Sequence, residues 1–357
     1  MSLKIVIKKK IFSSNGRFAE TLQSMYRSAS LTKFRLLNSK WREKKKSFGK
    51  RNPDKVFYVI RRKPEDGGLF SCMNYVFYRA LEAEKRGMLP VVDMESYPVS
   101  FKDTNLVRET PNAWEYFFEQ LTDVSLKEVY ESKNVILSDQ FWPHDHLMAD
   151  HFNGVFLENN TNLLRDVCER FNHYVRFNAQ TALYLEKACR LMRKGEKVLA
   201  VMSRGTDYTA LRPRGHHVQP DPEYLILTTQ KIMDEMDIEY CYLNTEEESV
   251  LEKFKKKLGD QLLFCPATYY DDYNERIPAT AGDRSIDYYP NRQLFIGDFI
   301  RSQSGSLYAR TREYLRNVYI ASKCDYLLCG LNSGTLGAIY LNNFKYEKKF
   351  IYDVGLY

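Results

Sequence analysis

At 357 residues and 42.1 kDa the chain exceeds the usual span of one compact domain, and its 44% hydrophobic, 14% aromatic and 28% charged residues suffice for a large core. This excludes a peptide-sized scaffold and a disordered or collagen-like chain. No run approaches about 18 consecutive apolar residues, and no apolar stretch follows the early lysines at 4, 8, 9 and 10, so the expectation is a cytoplasmic protein without a transmembrane helix or secretion signal. The seven cysteines contain no Cys-x-x-Cys pair and are odd in number, which points to reduced thiols.

Charge is unevenly spread. Residues 1–50 hold 14 Lys and Arg against Glu20 and Glu43, a net of +12, so the other 39 cations and 44 anions carry −5. Within this leader Phe18, Leu22, Met25, Ala29, Phe34, Leu37 and Trp41 recur at three- and four-residue spacing, and Arg42, Lys44, Lys45 and Lys46 crowd its end. The pattern predicts a basic helical N-terminal arm. Three roles compete for it: a packed element, contact with an anionic membrane surface, and nucleic-acid binding.

From Arg51 onward strands and helices alternate. Strand 56–60, helix 71–86 and strand 90–93 form one βαβ unit; a helix over 112–120 and a strand over 134–137 follow. Long helical patterns cover 161–193. The second half reads as strand 197–202, helix 222–236, strand 239–243, helix 247–258 and strand 261–264. It closes with helix 308–323, strand 325–329, helix 334–342 and strand 349–352. The segment 266–306 is too long for an ordinary connection and reads as a functional loop or lid. Alternation of this kind predicts an α/β protein with two Rossmann-like halves and mostly parallel sheets.

Ligands of such sheets bind outside the carboxyl ends of the strands, so the residues after each strand are the candidates. Gly67, Gly68 and Leu69 open a helix, where the glycines' missing side chains would let backbone amides approach an anion, or form a tight turn. Arg204 follows strand 197–202; its guanidinium can hold two phosphate oxygens, or pair with Asp207. Asn332, Ser333, Gly334 and Thr335 start another helix and can face an anion or merely cap it. Asn244 and Thr245 admit the same two readings. His144, Asp145, His146, Asp150 and His151 have a spacing that could ligate zinc, or form a polar loop; Asp271 and Asp272 lie in the long segment and read as solvent-facing.

These elements resemble, in order and spacing, the GDP-fucose-dependent fucosyltransferases of GT-B type, which include core α1,6-, nodulation and protein O-fucosyltransferases. The resemblance rests on Met202-Ser203-Arg204-Gly205-Thr206-Asp207, where the family has His-x-Arg, and on Pro222-Glu223-Tyr224 at a helix start. It rests also on Tyr242-Leu243-Asn244-Thr245-Glu246 and on Asp325-Tyr326-Leu327-Leu328 leading to Asn332-Ser333. Met202 replaces the family's histidine, Gly205 its second arginine, and Asn317 an acidic residue that contacts the base.

The resemblance implies a GT-B fold whose two Rossmann-like domains face a central cleft: an arm (1–50), an acceptor-side domain (51–185) and a donor-side domain (186–357). It implies an enzyme, a glycosyltransferase moving L-fucose from GDP-fucose to a hydroxyl of a glycan or lipid-linked glycan in polysaccharide biosynthesis. The mechanism is inverting and metal-independent, with no cofactor. Gly67, Gly68, Leu69, Arg204, Asn244, Thr245, Asn317, Asn332, Ser333, Gly334 and Thr335 would bind the donor. Arg204 would stabilise the leaving diphosphate, with Asp207 or the histidines His216 and His217 as general base. The arm would touch the anionic inner membrane face, and no nucleic-acid partner is implied. A transferase of another nucleotide sugar and a non-catalytic nucleotide-sugar-binding or glycan-binding protein are the alternatives.

Overall fold

The computed structural model describes residues 41–63, 67–140, 161–192, 197–276 and 294–357. The predicted arm up to residue 40 and the His144–His151 cluster lie outside them. The elements are β1 (Lys44–Lys46), β2 (Phe57–Ile60), α1 (Leu69–Lys85), β3 (Leu89–Val92), α2 (Leu126–Val129), β4 (Val135–Leu137), α3 (Thr161–Tyr174) and α4 (Ala179–Met192). Then come β5 (Val198–Met202), α5 (Asp207–Leu211), α6 (Pro222–Met236), β6 (Tyr240–Asn244), α7 (Glu248–Leu258), β7 (Leu262–Leu263), α8 (Ile296–Ser302), α9 (Leu307–Ala321), β8 (Tyr326–Gly330), α10 (Ser333–Asn342) and β9 (Lys348–Tyr352).

Two sheets result, as the alternation predicts. The first has the order β1-β4-β2-β3, with β2 parallel to both β3 and β4; the second is wholly parallel, in the order β7-β6-β5-β8-β9. The central strands β2, β5 and β8 are buried along their whole length, which explains their unbroken apolar runs: both faces are covered. In each sheet the chain leaves a central strand, adds strands on one side, and returns to the other. The switch points are at β2 in the first sheet and between β5 and β8 in the second.

The two halves share a core. Phe77 of α1, Phe171 of α3 and Tyr340 of α10 pack ring to ring, Phe171 and Tyr340 stacked at 4.6 Å between centroids, and the hydroxyls of Tyr78 and Tyr340 are 2.9 Å apart. Gly337 allows this approach: a Cβ there would stand 2.6 Å from Cε1 of Phe70, inside van der Waals contact.

Two expectations are corrected. The described end of the arm is an edge strand, not a helix, because Lys44, Lys45 and Lys46 pair antiparallel with Leu137, Ile136 and Val135 of β4. Residues 112–120 form turns rather than a helix. Trp114, Tyr116, Phe117 and Phe118 are all buried, so the segment lacks the polar face of a surface helix, and Asn112 Oδ1 accepts from the amides of Met94 and Trp114. The long helical patterns after residue 160 form the two helices α3 and α4, with Asn178 Oδ1 accepting from Thr181 N at the start of the second.

The seven cysteines are all free thiols. No helix of the described residues is long and apolar enough to cross a membrane.

Candidate active site

At the carboxyl end of β5 the chain makes a sharp turn into α5. Thr206, its N-cap, has φ 48° and ψ −122°, a conformation costly for a β-branched residue and of the kind retained where a fold over-determines a site. The turn presents Arg204 between two carboxylates. Its Nη2 donates to Asp207 Oδ1 at 2.8 Å and its Nη1 to Glu246 Oε2, while Thr206 Oγ1 donates to Glu246 Oε2 at 3.1 Å. The Arg204 side chain is 16% exposed and those of Asp207 and Glu246 6% and 18%, so the three charges lie in a largely desolvated cluster.

Phenols enclose the guanidinium. Arg204 lies 5.0 Å over the Tyr208 ring. Burial opposes its charge, but Asp207 and the neighbouring Tyr314, Tyr208 and Tyr273 raise its pKa. Burial in turn pushes the Tyr208 phenol up to about 12 and raises Tyr314, so both are neutral hydrogen-bonding groups at neutral pH. The Glu247 carboxylate lies over Gly205, so a side chain there would require Glu247 to move.

The other strand ends behave differently. After β8, Asn332 caps α10: its Oδ1 accepts from Gly334 N at 2.9 Å and Thr335 N at 3.1 Å, and Thr335 Oγ1 accepts from Asn332 N at 2.9 Å. This capping box engages the amides of Gly334 and Thr335 within the chain, the capping arrangement that is one of the two sequence readings for this helix start. Thr245 Oγ1 accepts from Glu247 N at 3.2 Å in the turn before α7, and Asn244 is buried at the end of β6. Asp271 does not simply face solvent. It accepts from the amides of Glu248 and Ser249 at 2.6 and 3.0 Å at the start of α7. Burial works to raise its pKa, and these hydrogen bonds outweigh it to leave a net lowering.

After β2, no side chain among the described residues caps the helix start. Gly68 is the N-cap of α1, with no side-chain acceptor, and nothing lies within 4 Å of a Cβ built on it. Gly67 has φ +73°, and a Cβ there would stand 2.5 Å from Arg62 Nη1. The glycine thus makes room for a buried guanidinium, which donates to Ser71 Oγ at 3.1 Å and lies 5.0 Å over the Tyr75 ring. A cation beside amides at a helix N-terminus suits an anion. Leu69 itself is a core residue, 2% exposed.

Tyr314 joins these regions. Its ring meets Phe70 of α1 edge-on at 5.2 Å, its hydroxyl fills the space over Gly334 of α10, and its phenol is among the groups raising the pKa of Arg204. The α1 and α10 starts also touch directly, Asn74 Nδ2 donating to Ser333 O at 3.4 Å.

The candidate bases separate. His216 packs edge-on against Tyr208 at 5.3 Å; burial lowers its pKa, with the Arg214 backbone and Asp207 pulling the other way, and its Nδ1 is buried with no hydrogen-bond partner among the described residues. It is a neutral imidazole beside the Arg204 cluster. His217 instead faces Asp353 at 3.3 Å. Asn317 is 4% exposed and accepts from Arg316 Nε at 3.0 Å, so its amide oxygen is already engaged within α9.

Sequence reasoning missed Arg62, Tyr314 and the carboxylate of Glu246. Arg62 carried a readable signal, a second consecutive arginine directly after a wholly apolar strand; Tyr314 carried none, being one aromatic among many on a helix.

No family model matches the chain, and no curated protein sequence does. Among solved structures it is similar to NodZ alpha-1,6-fucosyltransferase soaked with GDP-fucose, at 12% identity over 84% of this chain and 96% of that one, TM-score 0.46. It is also similar to fucosyltransferase NodZ from Bradyrhizobium (13%, 77% and 88%, TM-score 0.41) and to POFUT1 in complex with GDP (9%, 84% and 99%, TM-score 0.40).

Proposed function

We propose that the chain is a glycosyltransferase that uses a nucleotide diphosphate sugar, GDP-fucose by the sequence resemblance, and transfers the sugar to a glycan hydroxyl without a metal. The observation that carries this reading is Arg204 at the switch point of the second sheet, gripped by two carboxylates and held by a strained turn. One guanidinium with Asp207 and Glu246 has a net charge of −1, so a pyrophosphate must displace one carboxylate to gain the bidentate contact an arginine offers. The displaced carboxylate, Asp207 or Glu246, or the neutral His216, is then placed to take the proton of the attacking acceptor hydroxyl. The sugar's bond to the diphosphate breaks as its bond to the acceptor oxygen forms, and GDP leaves with the bonding electrons.

Arg204 acts where charge grows, so it stabilises the transition state more than the bound donor. The N-terminus of α1, beside Arg62, is a second place where a phosphate of the donor would bind. We assign the membrane-facing role to the basic residues 1–50, of which Lys44, Lys45 and Lys46 are exposed on β1.

The test is thermal unfolding with GDP, UDP, ADP and CMP, followed by release of GDP from GDP-fucose in excess EDTA. Stabilisation by GDP in preference to the others, with turnover that persists in EDTA, is expected. Arg204→Lys should keep the fold and lower turnover by about 10² or more, because a point charge replaces a fork. Preference for UDP would identify another sugar donor, binding without turnover would make the protein a non-catalytic binder, and wild-type turnover in Arg204→Lys would remove that residue from the mechanism.

A further inference from the structure

At the far end of α10 from Arg204 lies a cavity of about 290 Å³, near the lower end of the roughly 300–1,000 Å³ range of small-molecule sites. Leu164 of α3, Ile339 of α10 and Phe344 supply its apolar wall; Tyr346, Glu347 and Lys349 supply polar groups.

Those polar groups are not equivalent. The Tyr346 hydroxyl donates to Ala321 O at 2.8 Å, and the Glu347 carboxylate accepts from the Tyr326 hydroxyl. Asn342, also at the wall, spends its oxygen on the amides of Lys345 and Tyr346 at 2.5 and 2.6 Å and its amide nitrogen on Ser322 O. Lys349, half-buried, makes no hydrogen bond or ion pair among the described residues. The groups that influence its charge are the thiols of Cys168 and Cys329, each pushed up to about 12 by burial and therefore neutral. Burial itself lowers the lysine's pKa. The one carboxylate lining the cavity, Glu347, is engaged by the Tyr326 hydroxyl and does not pair with Lys349, so an incoming anion would offset the cost of the half-buried amine.

The wall is built under strain. Asn343 and Phe344 have φ 52° and 64°, and a phenylalanine in the left-handed region is uncommon. The paired Asn342 hydrogen bonds hold this turn, which sets the Phe344 ring against the cavity, with the guanidinium of Arg165 5.2 Å over the same ring.

We propose that this cavity is a second ligand site, taking a small amphipathic organic anion whose carboxylate or phosphate meets Lys349 while its hydrocarbon part lies against Leu164, Ile339 and Phe344. The site is independent of the donor reading, since no residue is shared with the Arg204 cluster.

Calorimetric titration of the whole chain with octanoate, octyl phosphate, octanol and octylamine tests it. One or both anions should bind at least about tenfold more tightly than octanol and octylamine, because the anionic head gains a charge-assisted hydrogen bond. Whichever anion binds more tightly identifies the head group. Lys349→Met should reduce anion affinity to that of octanol, Lys349→Arg should restore it to within about threefold, and Leu164→Trp should fill the space and abolish binding. Equal binding of octanol or octylamine by the wild-type chain, which requires no variant to fold, would overturn the proposal, as would unchanged anion affinity in Lys349→Met.

Discussion

Two helix starts meet at the centre of this molecule, and their difference is instructive. Both α1 and α10 follow buried strands, and both begin with glycine-containing, side-chain-poor segments. Yet α10 is closed by its own N-cap: Asn332 takes two of its amides, so its dipole is already complemented within the chain. By contrast, α1 has Gly68 as its N-cap, no side-chain acceptor among the described residues, and the Arg62 guanidinium beside it. A helix N-terminus attracts an anion only to the extent that its amides are not already used, and whether they are used depends on one side chain.

The comparison is disturbed most by a change where the two helices touch. Gly337→Ala adds a methyl group against the Phe70 ring, which is 1% exposed and has little room to give. The gain in helix propensity, up to about 1 kcal/mol, is outweighed by overpacking of roughly 1–3 kcal/mol. A net destabilisation of about 1–2 kcal/mol in denaturant midpoint is therefore expected; an unchanged midpoint would mean the helices can slide apart and that their contact does not hold the site.

A smaller effect is expected from Asn332→Ala, which makes α10 resemble α1. Loss of the capping box should cost about 1 kcal/mol, and the released amides should tighten binding of GDP or inorganic pyrophosphate. Loss of stability with weaker nucleotide binding would instead give Asn332 a direct place in the donor site.

The smallest stability change belongs to the reverse substitution. Gly68→Asp supplies α1 with the acceptor it lacks, in an extended conformation (φ −71°, ψ 175°) that aspartate adopts without strain. Stability should rise by a few tenths of a kcal/mol, while GDP affinity should fall by about tenfold as the carboxylate takes the amides and repels the phosphates. If GDP binds Gly68→Asp as it binds the wild type, the α1 start is outside the donor site and Arg204 carries the diphosphate alone.

Much of the architecture was legible because parallel strands covered on both faces must be apolar throughout, and the helices between them must carry one apolar stripe. The α6 and α9 patterns, with Asp221 and Ser306 as N-caps, mark their own limits. The reading failed at 112–120, where Trp114, Tyr116, Phe117 and Phe118 are all buried in turns, and at Lys44–Lys46, where a lysine run carries no trace of the strand β4 that it pairs with. The site was half legible. Arg204 stands where any strand-end argument would look, and Asp207 follows three residues later in the same turn.

By itself, then, the amino-acid order determined the local matters: where strands and helices run, which face is buried, and which charged or small residues follow each strand. Tertiary structure decided what those residues do. Glu246 reaches Arg204 across 42 positions of sequence, Tyr314 stands between Phe70 and Gly334, and Arg62 occupies the space that Gly67 leaves empty. The physical reason is range: propensity and capping act within a turn or two of the chain, whereas desolvation, ion pairing and close packing depend on neighbours that only the folded sheets bring together.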